Sequence, residues 1–216
     1  MGHASPCYSR WSIAGLLVAL IGLGAPANAH AQRYLVTDLG TLGGGSSTGY
    51  AINANGQVTG VAVTANGRLH AFLYTSGNGM IELGTLGGGT SKGYGINASG
   101  QVTGEVVTAG SAFHAFLYTS GDGMIDLGTL GGGESKGNGI NASGQVTGDA
   151  VTTNGALHAF LYAKRVMLDL NSMIDPVIAA HVTLFSGKGI NDDGWIVANG
   201  ADSRTDMTHA YLLSKH

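Results

Sequence analysis

The chain has 216 residues, with 38 Gly, 3 Pro and 1 Cys, 44% hydrophobic and 11% charged residues, and a net charge of −3. Gly and Pro together stay below the roughly 25–30% that marks low-complexity disorder, so a packed core is expected at this length. Lys and Arg form no cluster, which excludes a nucleic-acid partner because nothing could neutralise a row of phosphates.

Residues 1–31 read as a secretory signal peptide. Arg10 precedes an apolar run over 13–25, and Ala27-Asn28-Ala29 and Ala29-His30-Ala31 follow as overlapping small-x-small cleavage sites. The run is shorter than the ~20 residues that cross a bilayer, so no membrane span is expected in the mature chain. Cys7 leaves with the peptide, and with it any thiol, disulfide or thiolate metal site. The expected location is extracellular, with the periplasm as the alternative.

Residues 32–216 are dominated by a repeat. Asn53, Asn97 and Asn141 recur every 44 residues, as do His70, His114 and His158, and a divergent fourth copy carries Asn191 and His209. Each copy predicts four short strands, in the first at 49–53, 57–63, 69–74 and 80–86. Ala54-Asn55-Gly56, Ala65-Asn66-Gly67 and the Thr-Ser-Gly-Asn-Gly run at 75–79 divide them. The turn glycine recurs at Gly100, Gly144 and Gly194, as a left-handed hairpin position requires. Only 172–181 predicts a short helix, with Pro176 near its start.

Four strands in roughly 40–45 residues is the size of a propeller blade. The expected fold is therefore all-β, a β-propeller-like ring of about four blades over residues 43–86, 87–130, 131–170 and 171–213. Residues 34–42 match the fourth strand of a copy, so they are expected to complete the last blade and close the ring. A β-solenoid, or an eight-bladed ring from two chains, is the alternative.

His70-Ala71-Phe72-Leu73-Tyr74 and its copies at 114–118 and 158–162 accompany Leu-Gly-Thr-Leu-Gly-Gly-Gly runs and Gly-Ile-Asn-Ala-Ser-Gly-Gln turns. Together they resemble the bacterial extracellular HAF repeat family over residues 34–213, with His209-Ala210-Tyr211 as the departure in the last copy. The resemblance implies a secreted bacterial repeat protein and no reaction.

The recurring His70, His114, His158 and His209 are read as structural, bonded to turn backbone, and Asn53, Asn97, Asn141 and Asn191 as turn formers. Asp38, Glu82, Asp126 and Asp169, each just before a leucine, are read as solvated charges that protect a strand edge. The Gly-Gly-Gly runs lack the Gly-Lys-Ser/Thr ending of a phosphate loop, and no Gly-x-Ser-x-Gly elbow occurs. No catalytic residue and no cofactor or metal is assigned. The repeated histidines are the alternative metal donors, and calcium would find several oxygens at Asn191-Asp192-Asp193-Gly194 or 202–206, without the spacing of an EF-hand loop.

The expected function is a non-enzymatic structural or interaction module outside the cell, with an extracellular protein or a glycan as partner. Candidate ligand contacts are Tyr50, Tyr94, Lys92, Asp192, Asp193 and Trp195. Tyr50, Tyr94 and Lys92 serve a lectin-like reading, in which aromatic faces hold sugar rings. The fourth copy serves a hydrolase reading, because Asp175, His181, Asp192, Asp193, Trp195, Asp202, Asp206 and His209 supply asymmetric chemistry there.

Overall fold

The computed structural model describes residues 33–215; the signal peptide expected at 1–31 lies outside them. Residues 33–37 are exposed and carry no regular structure, and residues 38–215 form a separate unit. No helix among the described residues is long and apolar enough to cross a membrane.

The unit is all-β, and its sheets are antiparallel meanders. The first contains β1 (Gly43–Ile52), β2 (Val58–Thr64), β3 (Leu69–Thr75) and β4 (Gly79–Glu82) in that order. The second repeats it with β5 (Gly87–Ile96), β6 (Val102–Thr108), β7 (Phe113–Thr119) and β8 (Gly123–Asp126). The third consists of β9 (Gly131–Ile140), β10 (Val146–Thr152), β11 (Leu157–Ala163) and β12 (Val166–Asp169). The fourth has three strands, β13 (Val182–Ile190), β14 (Ile196–Asp202) and β15 (Met207–Leu213). A 3-10 turn at Leu170–Ser172 and the one-turn helix α1 (Pro176–Ala179), capped by the Asp175 side chain on Val177 N–H, occupy the fourth copy's insertion.

The first hairpin of each copy closes as its turn chemistry dictates. Asn97 N–H donates to Gln101 O and Gly100 N–H to Asn97 O, with Gly100 at φ +78°. The first strand is longer than expected because the Gly-Gly-Gly run joins it, and the fourth is shorter, ending at the acid. Beyond the acid, Leu83 N–H still donates to Ala71 O, and Gly84 at φ +82° turns the chain away toward the next sheet.

Consecutive sheets pack face to face. Ala71, Leu73 and Leu83 of the first copy meet Val102, Val106 and Phe116 of the second. Ala115, Leu117 and Leu127 meet Val146, Ala150 and Phe160, and Ala159 and Leu170 meet Val182, Leu184 and Ile196. Glycine allows the close approach: a Cβ on Gly93, Gly137 or Gly187 would lie 2.3, 2.2 or 2.1 Å from Oγ1 of Thr59, Thr103 or Thr147 in the preceding sheet. Those hydroxyls are buried and donate to the carbonyls of Phe72, Phe116 and Phe160.

Within residues 38–215 the first and fourth sheets share no such interface, so the four sheets follow one another as an open stack. In residues 34–42, expected to complete the last blade, only Leu42 makes a β-bridge. Residues 34–41 contain no strand, and Tyr34, Leu35 and Val36 are 80%, 99% and 96% exposed. The physical reason lies in the turn: Leu42 bridges Thr64 and its carbonyl accepts from Ala65 N–H, which ties 38–42 to the first sheet, at the opposite end of the stack from β15.

Candidate functional site

The repeated histidines and the repeated acids meet each other. The β7–β8 register sets Phe116 opposite Asp126, which leaves His114 diagonal to the acid on the same face. His114 Nδ1 and Asp126 Oδ2 are 2.8 Å apart, His158 Nδ1 and Asp169 Oδ2 are 2.7 Å apart, and His70 Nδ1 contacts Glu82 Oε1. The imidazoles were expected on turn backbone and the structure places these three on carboxylates instead, while Glu82 and Asp126, read as solvated edge charges, lie on outer strands with side chains 45% and 41% exposed. A separation of eleven or twelve residues cannot reveal the pair until the hairpin register is known. With Nδ1 committed to a carboxylate, Nε2 is the atom left, and that of His70 is buried without a partner. His209 is exposed on β15, where no fourth strand brings it an acid.

The asparagines do more than turn the chain. Asn53 Nδ2 donates to the Asn97 carbonyl at 2.9 Å, Asn97 Nδ2 to the Asn141 carbonyl at 2.9 Å, and Asn141 Nδ2 to the Asn191 carbonyl at 3.0 Å. Each Oδ1 meanwhile accepts from its own turn, as Asn97 does from Ser99 and Gln101 N–H. A ladder of equivalent side chains thus runs the length of the stack.

Among the ligand candidates, Tyr50, Tyr94 and Lys92 come together on the first strands of adjacent sheets. The Tyr50 and Tyr94 rings lie 5.5 Å apart at 40°, and Lys136 Nζ sits 4.5 Å above the Tyr94 ring. Tyr94 Oη donates to Glu105 Oε1 at 2.8 Å, and Lys92 Nζ reaches the same oxygen at 2.9 Å. Burial first, and then the Glu105 carboxylate beside it, hold the Tyr94 phenol well above its ordinary value, so it is a neutral donor at physiological pH. Next to this strip a groove of about 290 Å³ is lined by Lys92, Glu105, Glu134, Lys136 and Asp149, with Phe113 and Leu157 as its apolar rim.

Glu105, Asp149 and Lys136 were missed in the sequence. The signal was present: Glu105 and Asp149 interrupt β6 and β10 where the first copy has Val61. Asp149 accepts from Asn138 Nδ2 at 3.0 Å and Ser186 Oγ at 2.5 Å, so both acids are bonded to polar groups of first strands.

Asp192, Asp193 and Trp195 lie elsewhere, on the turn after β13. Asp192 Oδ1 accepts from Ala142 N–H of the neighbouring turn at 2.8 Å, and Trp195 N–H donates to Asn191 Oδ1. Asp193 and Trp195 are exposed. In the loop at 202–206, Arg204 binds Asp202 through two side-chain hydrogen bonds and holds its carboxyl well below the usual range. No group of three or more His, Cys, Asp or Glu converges among the described residues. A second cleft, of about 520 Å³, runs beside β15 and is lined by Ile174, Ile178, Val182, Leu184, Tyr211 and Leu213. Comparison of the chain with protein-family models and with curated proteins returns no match.

Proposed function

We propose that the protein is a non-enzymatic extracellular repeat module, a stack of propeller-like blades that binds a partner along its first strands. The observation that carries this reading is how the recurring polar groups are used: histidine is bonded to acid and asparagine to the next asparagine's carbonyl. Groups held in this way build the stack, while catalysis requires unlike groups aimed at one reacting atom. Export by the apolar leader and the HAF resemblance belong to the same proposal. A purified chain that turned over a substrate, with turnover abolished by a point substitution that left its melting unchanged, would overturn it.

Glycan binding is the second reading, favoured by the Tyr50–Tyr94 pair and the cation above it. An aromatic platform flanked by Glu105, Lys92 and Asp149 offers a stacking face and directional donors and acceptors to a sugar ring. On a glycan array, a signal lost in Tyr94→Ala would support this reading, and silence at high protein concentration would remove it.

A further inference from the structure

The two ends of the stack hold separate halves of bonds that its interior makes whole. Inside, Leu83 N–H donates to Ala71 O and Leu127 N–H to Ala115 O, both at 2.9 Å. In turn Ala71 N–H donates to Ser91 Oγ of the next sheet at 2.9 Å, and Ala115 N–H to Ser135 Oγ at 2.8 Å. The His–acid pairs and the asparagine ladder complete the set.

At the trailing end, among the described residues, β15 brings His209 and Ala210 to an edge with no fourth strand, and no further turn follows that of Asn191. Leu212 is 66% exposed, whereas its counterparts Leu73 and Leu117 are 8% exposed beneath the next sheet. At the leading end, Asp38 accepts from Gly40 N–H as Asp126 does from Gly128, and Ser47 Oγ donates to Gly40 O as Ser91 does to Gly84 O. The leading turn is therefore already in the interior conformation, and β1 is exposed along most of its length. The halves match by type and spacing: Asp38 for His209, Leu39 N–H for Ala210 O, Ser47 Oγ for Ala210 N–H, and Asn191 Nδ2 for Asn53 O. The cleft beside β15 matches as well. Met124 and Met167, two residues before their acids, pack into the core, and Val36 is two residues before Asp38 and 96% exposed. Tyr118, which pairs with Met124, corresponds to Leu213, a wall of the cleft.

We infer that the trailing end of the fourth sheet is a docking site for the leading end of a second copy of this chain. Residues 35–38 of that copy add to β15 as its fourth strand, Val36 enters the cleft, and the copy's β1 lies against the fourth sheet. A second copy is the occupant because each chain's own residues 38–42 are tied to its first sheet, at the far end of the stack. The contact is head-to-tail, so it either cyclises or continues as a filament.

Light scattering on the purified chain over a concentration series tests it. The wild type is expected to exceed the monomer mass as concentration rises. Val36→Pro, in a segment without secondary structure, removes a ladder donor and is expected to leave a monomer with unchanged circular dichroism and melting. His209→Asp is expected to weaken association about tenfold by placing like charges together, and adding Asp38→His to it is expected to restore association. A wild type that stays monomeric, or an assembly indifferent to Val36→Pro, overturns the inference. A monomer in which residues 35–38 and β15 are jointly protected from hydrogen exchange overturns it too, in favour of closure within one chain.

Discussion

The junction between the second and third sheets and the trailing face of the fourth are built on the same hairpins and differ in what covers them. At the junction Thr103 is buried under Gly137 and Leu117 under the third sheet. At the trailing face Val197 stands in the threonine's place at 41% exposure, and Leu212 is in the open. The repeat thus encodes an interface twice over, once as a socket and once as a plug, and only neighbours in the stack make it cohesive. The stability of a stack of repeats is a sum of repeat and nearest-neighbour terms, so equivalent substitutions have unequal effects at the ends and in the middle.

The largest contrast is expected at glycine. Gly137→Ala drives a Cβ to 2.2 Å from a buried, bonded hydroxyl and is expected to cost about 3 kcal/mol, as overpacking does. Gly49→Ala, at the equivalent exposed position, meets only Val58 Cγ1 at 3.3 Å and is expected to fall within about 0.5 kcal/mol of wild type, as surface substitutions usually do. Urea unfolding of both variants measures the difference; equal effects would mean that the sheets do not approach as described.

Asparagine gives the next contrast. Asn97→Ala leaves the Asn141 carbonyl with Gly144 N–H as its remaining donor and strands two turn amides, and about 2 kcal/mol is expected to be lost. Asn191→Ala removes one acceptor from an exposed turn and is expected to cost about 1 kcal/mol by the same denaturation assay.

The histidine pairs are partly exposed, so His114→Ala is expected to lose about 0.5 kcal/mol and His209→Ala, with no acid beside it, less still. A double-mutant cycle of His114 with Asp126 should return a coupling of that size, and none would sever the pair.

Tyr94 adds a pH signature to the junction of the first and second sheets. Its folded phenol titrates above the unfolded value of about 10, so the stabilisation is fully present below that pH and is lost as pH rises through the folded value. Melting of the wild type is expected to fall more steeply above pH 10 than melting of Tyr94→Phe, and parallel curves would contradict a buried, Glu105-bound phenol.

How much of this was legible depended on range. The Asn-x-x-Gly turns are local, and their glycines at φ +72° to +78° are where the spacing places them. All-β sheets of four strands follow from strand length and turn frequency, again local quantities. The His–acid pairs depend on register across a hairpin, and the Lys136–Tyr94 and Glu105 contacts on which side chains face each other between copies, so a single copy's pattern does not contain them. Completion of the last blade is longer in range still. Residues 34–42 do resemble a fourth strand, but whether they reach β15 depends on the rotation between sheets, summed over the stack, and no residue states that angle.

The asparagine ladder also makes the stack countable in whole units. Each rung joins a turn to the identical turn of the next copy, so excising residues 87–130 would bring Asn53 to the Asn141 carbonyl in the geometry that Asn97 leaves behind. A gene built this way can gain or shed 44-residue units by unequal recombination with the ladder intact, and the length of the protein becomes a quantity that selection can adjust in steps.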